Sequence, residues 1–151
     1  MRVLSRRQFL FGAGALAVVG IPVAGKLVRR EGAPRCEMDG VRIEPASRVR
    51  AVEEDGDSHT FCCPRCARRW IDRQEEPPVA VYVIDEVGHK EIEVHSAHFV
   101  HSAVVTDPVT GNHIRAFRDE AAAEAHVETF GGWVLDPAEN PFEGQAGQLG
   151  R

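Results

Sequence analysis

The chain is poor in methionine and, over most of its length, in basic residues. It contains two methionines, and one of them is the initiator Met1. Residues 1–30 hold six of the 18 basic residues and no acidic one, so the remainder carries 12 basic residues against 23 acidic ones, a net charge of about −11. A surface of that sign disfavours nucleic acid and anionic lipid as partners.

The sequence also lacks the residue sets on which several enzyme classes depend. No Ser/His/Asp combination, no paired carboxylates and no glycine-rich phosphate loop stands out. A hydrolase or a nucleotide-dependent enzyme would need one of these sets. We therefore expect a protein that is not an enzyme.

The first 25 residues predict export. The stretch Ser5-Arg6-Arg7-Gln8-Phe9-Leu10 closely matches the twin-arginine export signal, and an apolar run to Gly25 follows it without a charged residue. The run of 17 residues, 9–25, contains four glycines and a proline. That length is at the short limit for a bilayer-spanning helix, and the composition is typical of a signal segment.

We therefore predict a twin-arginine signal or a retained membrane anchor at residues 1–25 and a linker at 26–35. The twin-arginine translocase is then an expected partner, with residues 9–25 as the tether if the segment is retained. The periplasm, or another extracytoplasmic space, is the expected location. No lipobox precedes Cys36, so we do not expect lipid modification there.

Residues 36–140 predict one metal-binding domain, and residues 141–151 a loose tail rich in glycine and glutamine. The predicted elements are strands within Val41–Val52 and Ser58–Cys62, a helix from Pro64 to about Gln74, strands at Val79–Ile84, within Glu91–Val105 and at His113–Phe117, a helix capped by Asp119 that ends near Gly131, and a strand at Trp133–Leu135. Each half contains a hairpin, a strand ending in phenylalanine, a helix and a further strand. The pattern predicts an α+β fold of two ββαβ modules forming one compact domain.

The cysteines are the most informative feature of the chain. Three of the four lie within five residues, at Cys62, Cys63 and Cys66, and the fourth is Cys36. Cysteines three or four apart share a helix face, and the start of a helix favours the thiolate form that binds metals. On an extended segment Cys36 and Met38 would point to the same side. Thiolate and thioether donors suit Cu(I), whereas thiolates alone would equally hold Zn(II) in a structural site.

Two other interpretations of the cysteines stay open at this stage. Cys63-Pro64-Arg65-Cys66 has the spacing of the dithiol in thiol–disulfide oxidoreductases. However, residues 85–107 indicate strands where a thioredoxin-like chain needs a helix. The even number of cysteines in an exported chain also permits two structural disulfides.

Histidines add further candidate ligands. Four of the seven histidines fall within residues 89–101, and imidazole binds copper and zinc well. On a strand, His95 and His101 would share one face and His98 would lie on the other. We include His98 and His101 among the candidate metal ligands and expect surface positions for His113 and His126.

Several of these motifs together resemble the NosL family of copper-handling accessory proteins for nitrous-oxide reductase. They are Cys36-x-Met38, the stretch from Phe61 to Trp70 with its three cysteines, His98-Phe99-Val100-His101, and the run from Ala116 to Leu135. The cysteine region, Cys36 to Cys66, also resembles the TRASH-type motif of heavy-metal trafficking proteins.

The resemblance covers roughly residues 36–137 and implies paired ββαβ modules and Cu(I) delivery in the periplasm. It implies a copper donor and a periplasmic copper enzyme, as client, for partners. It also implies that Cys36 and Met38 are primary ligands.

Overall fold

The computed structural model describes residues 33–105 and 108–144. The predicted export signal or anchor and most of the predicted linker lie outside these residues, as does the end of the predicted tail. Within the described part of the chain, no helix is long and apolar enough to cross a membrane.

Two modules with the same order of elements follow one another. The first contains β1 (Val49–Val52), β2 (Ser58–Phe61), α1 (Pro64–Ile71), β3 (Ala80–Ile84) and β4 (Glu91–Glu93). The second contains β5 (His98–Ser102), β6 (Ile114–Phe117), α2 (Glu120–Phe130) and β7 (Gly132–Val134). Short 3-10 turns lie at Pro45–Ser47, Val94–Ser96 and Pro137–Glu139.

Each module forms its own antiparallel sheet around its first strand. The strand order is β2-β1-β3-β4 in the first sheet and β6-β5-β7 in the second. A single parallel bridge joins the sheets between Asp85 and Ala116, and Asp85 also accepts a bond from the backbone N–H of Arg118 (3.0 Å). The predicted α+β fold of two ββαβ modules is confirmed, with β4 as an additional edge strand.

Local chemistry explains why the first helix begins where the cysteines are. The first hairpin turns at Gly56, whose φ of +91° suits glycine. Strand β2 then ends at the fully buried Phe61, and Pro64 occupies the first turn of α1, where its missing N–H costs nothing. The cysteines therefore lie at a strand-to-helix junction whose inner side is the core.

The main core cluster extends from this junction into both modules, and its largest fully buried side chains include Phe61 and Phe142. A second, smaller cluster in the second module contains Val100, Phe117 and Ala123. Phe142 packs against Phe99 with ring centroids 6.1 Å apart, and Arg68 donates to the backbone carbonyl of Glu143 (2.9 Å). The predicted loose tail 141–151 is therefore wrong at its beginning, because Phe142, its second residue, is buried.

Three element predictions need correction. The strand interpretation of Val41–Val52 holds only for β1, because Pro45 begins a 3-10 turn before it. The region Glu91–Val105 contains two short strands separated by the 3-10 turn Val94–Ser96, so His95 is not on a strand. Asp119 precedes α2 but makes no side-chain capping hydrogen bond.

Candidate metal centre

The first cysteine lies in a tight turn rather than on an extended segment. The backbone N–H of Gly40 donates to the carbonyl of Cys36 (2.7 Å), and the N–H of Cys36 donates to Val41 (2.8 Å). In such a turn, residues three apart lie on the same side. The prediction that Cys36 and Met38 share a side on an extended segment is therefore wrong, and Asp39 is the residue that turns toward Cys36.

Glu37 fastens this turn to strand β2. Its carboxylate accepts hydrogen bonds from the backbone N–H of Thr60 (2.8 Å) and pairs with Nδ1 of His59 (2.7 Å). Its own backbone N–H donates to the Thr60 carbonyl (3.1 Å). The turn is thereby held next to the residues that lead into the three clustered cysteines.

Three thiols and one carboxylate meet at this junction. One ligand atom from each of four residues lies within 4.8 Å of the other three, a spacing that could hold a metal ion. These residues are Cys36, Asp39, Cys62 and Cys66. The three cysteines are at most 5 % exposed, whereas Asp39 is exposed on the outer side.

Hydrogen bonds connect the thiols to the carboxylate. Cys66 donates to Oδ2 of Asp39 (3.1 Å), and Cys62 approaches the same oxygen at 3.6 Å. The Sγ atoms of Cys62 and Cys66 are 3.6 Å apart. Four donor atoms of this kind match the number that closes a tetrahedral site.

Burial sets the protonation of this cluster in the metal-free protein. Burial raises the pKa of Cys62, and the neighbouring thiol of Cys63 adds to the effect. Burial also raises the pKa of Cys66, as does its bond to Asp39. Burial would raise the pKa of Asp39, but hydrogen bonds from Cys66 and other donors outweigh it and lower the pKa. In the metal-free protein Cys62 and Cys66 are therefore neutral thiols beside the Asp39 carboxylate, and a metal ion that binds them must displace their protons.

The other predicted cysteine and the methionine lie at the edges of this cluster. The Sγ atom of Cys63 is 3.8 Å from that of Cys62, so Cys63 is adjacent to the group of four without belonging to it. Met38 is half-buried against the core, and its sulfur accepts a weak bond from Arg73 (3.7 Å).

The two predicted histidine ligands lie on the second module and do not join the cluster. Both are on β5, three residues apart, and hence on opposite faces of the strand. His101 stacks between Trp133 (4.2 Å between ring centroids) and His113 (5.1 Å). His98 is paired in register with Phe117.

The structure argues against the two other interpretations of the cysteines. All four thiols are free, so it does not show two structural disulfides. Residues 91–102 contain the strands expected instead of a thioredoxin-like helix.

Asp39 is the member of the cluster that the sequence analysis missed. A signal was present, because Asp39-Gly40 is a strong turn dipeptide. A turn over Cys36–Gly40 would have placed residues 36 and 39 together, rather than 36 and 38.

Comparison with known proteins bears on the fold. No protein family model and no curated protein sequence matches the chain. The crystal structure of the copper chaperone NosL from Shewanella denitrificans does match, with a TM-score of 0.57 over 68 % of this chain and 85 % of that one. The chain therefore has the same fold as that protein. At 20 % sequence identity the likeness concerns the fold, and it confirms the resemblance to the NosL family at that level.

Proposed function

We propose that the protein is an exported, non-enzymatic metallochaperone that carries Cu(I) to a periplasmic copper enzyme. The observation that carries the proposal is the cluster of free, buried thiols at Cys36, Cys62 and Cys66, set in the fold of a copper chaperone. Soft sulfur donors favour Cu(I) over the harder divalent ions. The three thiolates would bind the ion, and Met38 would supply a thioether during loading or release.

Asp39 favours a second candidate function. With Asp39 as a fourth donor beside the three buried cysteines, the site has four protein ligands. A closed site with four protein ligands is typical of a structural Zn(II) centre. In that case the metal would stabilise the junction of β2 and α1 rather than travel to a client. The two candidates differ in which ion binds more tightly and in whether bound metal can be transferred.

A competition titration tests the proposal. Reduced, metal-free protein is titrated anaerobically with Cu(I) against a chromogenic chelator, and separately with Zn(II). Loss of a residue that only hydrogen-bonds a metal ligand costs roughly 10- to 100-fold in metal affinity. We expect Cys36→Ser and Cys66→Ser, which each remove a ligand, to weaken Cu(I) binding by more than that. His95→Ala, which alters a residue outside the cluster, is the control. Unchanged Cu(I) affinity in both cysteine variants would refute the copper site.

The client and the route of export need experiments in cells. We propose nitrous-oxide reductase as the client, a separate periplasmic protein as the copper donor, and the twin-arginine translocase as the export machinery. Deleting the gene should lower the copper content of the client, and restoring it with Cys36→Ser should not rescue that content. Arg6→Lys together with Arg7→Lys should retain the protein in the cytoplasm. Normal client copper after deletion would exclude this client.

A further inference from the structure

A second donor set lies beside the cysteine cluster and is not used by it. A cavity of about 160 Å³ opens between the start of α1 and the β5–β6 hairpin. Its lining includes Cys63, His101 and His113. The Sγ atom of Cys63 lies 3.8 Å from that of Cys62, so this cavity is next to the cluster.

His113 has the hydrogen bond that prepares an imidazole for metal binding. Its Nδ1 lies 3.0 Å from the backbone carbonyl of Ser102. A carbonyl only accepts, so Nδ1 carries the hydrogen and Nε2 of the neutral ring keeps its lone pair. Metal-binding histidines commonly have this arrangement, in which a backbone carbonyl fixes the tautomer.

His101 contributes a buried nitrogen without a partner. Among the described residues, Nδ1 of His101 is buried and has no hydrogen-bond partner. A buried polar atom left unpaired destabilises the folded state, and such atoms are few in folded proteins. The ring is fixed between Trp133 and His113. A metal ion would satisfy this nitrogen.

Cys63 supplies the sulfur donor. It is 1 % exposed, lines the cavity and occupies the position just before α1. Arg65, which also lines the cavity, adds positive charge and is held by the Thr110 carbonyl (3.0 Å).

We propose that Cys63, His101 and His113 form a second Cu(I) site, through which the ion passes on its way between the cluster and a partner. The identity of the ion rests on the proposed function. Binding requires the His113 ring to tilt while its Nδ1 keeps the bond to Ser102, because its plane is nearly parallel to that of His101, at 5°. Transfer breaks the bond from copper to Cys62 as the bond to Cys63 forms. The Cys63 proton passes to Cys62, and copper stays Cu(I).

Stoichiometry and fluorescence test the second site together. In a Trp70→Phe background, Trp133 is the remaining tryptophan, and its ring stacks directly on His101. We expect this protein to bind two equivalents of Cu(I), with Trp133 fluorescence falling during the second. His101→Phe and His113→Phe, which keep an aromatic ring in the stack, should each weaken the second equivalent at least tenfold. His98→Phe, on the opposite face of β5, is the matched control and should bind two.

The outcomes separate the two proposals. A single equivalent in the parent protein, lost in Cys36→Ser, would overturn the second site and leave the proposed function standing. Two equivalents that survive both His101→Phe and His113→Phe would also overturn it. Failure of the parent to bind any Cu(I) against the chelator would instead overturn the proposed function.

Discussion

Replacing Asp39 by asparagine separates a copper site from a zinc site. The substitution removes the negative charge but keeps the shape of the side chain. It also keeps an oxygen that can accept the hydrogen bond from Cys66, whose Sγ lies 3.1 Å from Oδ2 of Asp39. For Zn(II), Asp39 would be the fourth ligand, so its loss would weaken binding. Cu(I) would be satisfied by the three thiolates, and together with them it would carry a net charge of −2. A nearby carboxylate repels that charge, so its removal leaves Cu(I) affinity unchanged or raises it.

The geometry gives the size of the effect. Two unit charges about 4 Å apart interact by about 1 kcal/mol in water and about 4 kcal/mol at an effective dielectric constant of 20. The thiols are buried but Asp39 is exposed, so the interaction energy lies in the lower half of this range. We expect Zn(II) affinity to fall roughly 10- to 100-fold in Asp39→Asn, which corresponds to about 1.4–2.7 kcal/mol.

The assay is a pair of competition titrations on the parent and the variant, one with Cu(I) and one with Zn(II). Asp55→Asn, in the exposed turn of the first hairpin, is the control for a change of net charge alone. The decisive quantity is the ratio of the two affinities, which should shift toward Cu(I) only in Asp39→Asn. Equal losses of Cu(I) and Zn(II) affinity would show that the carboxylate binds both ions, and our division of roles would be wrong.

Two further predictions concern stability. Burial raises the pKa of Cys62 and Cys66 in the folded protein, so their stabilising contribution is complete below the unfolded thiol pKa of about 8.5 and is lost as pH rises above it. The thermal unfolding temperature of the reduced, metal-free protein should therefore fall as pH rises above that value. An equal fall in the Cys62→Ser, Cys66→Ser double variant would contradict this prediction. A Cβ on Gly132 would lie 2.1 Å from the His101 carbonyl oxygen, so Gly132→Ala should cost about 2–3 kcal/mol in chemical denaturation. Gly56→Ala, with a similar φ but open space around it, should cost only about 1 kcal/mol.

The sequence was a good guide to the elements and to the plan of the fold. The β-branched Val49, the turn at Gly56 and the proline at the start of α1 each act within a few residues, and each has the predicted effect. The apolar pattern could not show that Phe142 returns to pack on Phe99, because that contact joins residues 43 positions apart and depends on the assembled core. The sequence therefore placed the start of the tail too early.

The composition of the candidate cluster was predicted less well, since it depends on the shape of one turn. Cys36, Cys62 and Cys66 were among the predicted candidates because their spacing and chemistry are visible in the sequence. The choice between Met38 and Asp39 rested on whether residues 36–40 are extended or turned. Alternation along an extended segment selects residue 38, whereas a turn closed by the bond from Gly40 to Cys36 selects residue 39.

A residue that binds no metal in either interpretation holds that turn in place. Glu37 binds His59 and Thr60 of β2, so its side chain keeps the Cys36–Gly40 turn next to the segment that carries the other three cysteines. The thiols face the core and Asp39 faces solvent, so the turn covers the cluster on its outer side. The same contacts that assemble the site therefore also cover it, and direct exchange of metal on this side would require the turn to move away from β2. The bonds that hold the turn are hydrogen bonds and an ion pair near the surface, which are individually weak and so compatible with the release of an ion that the proposed function requires.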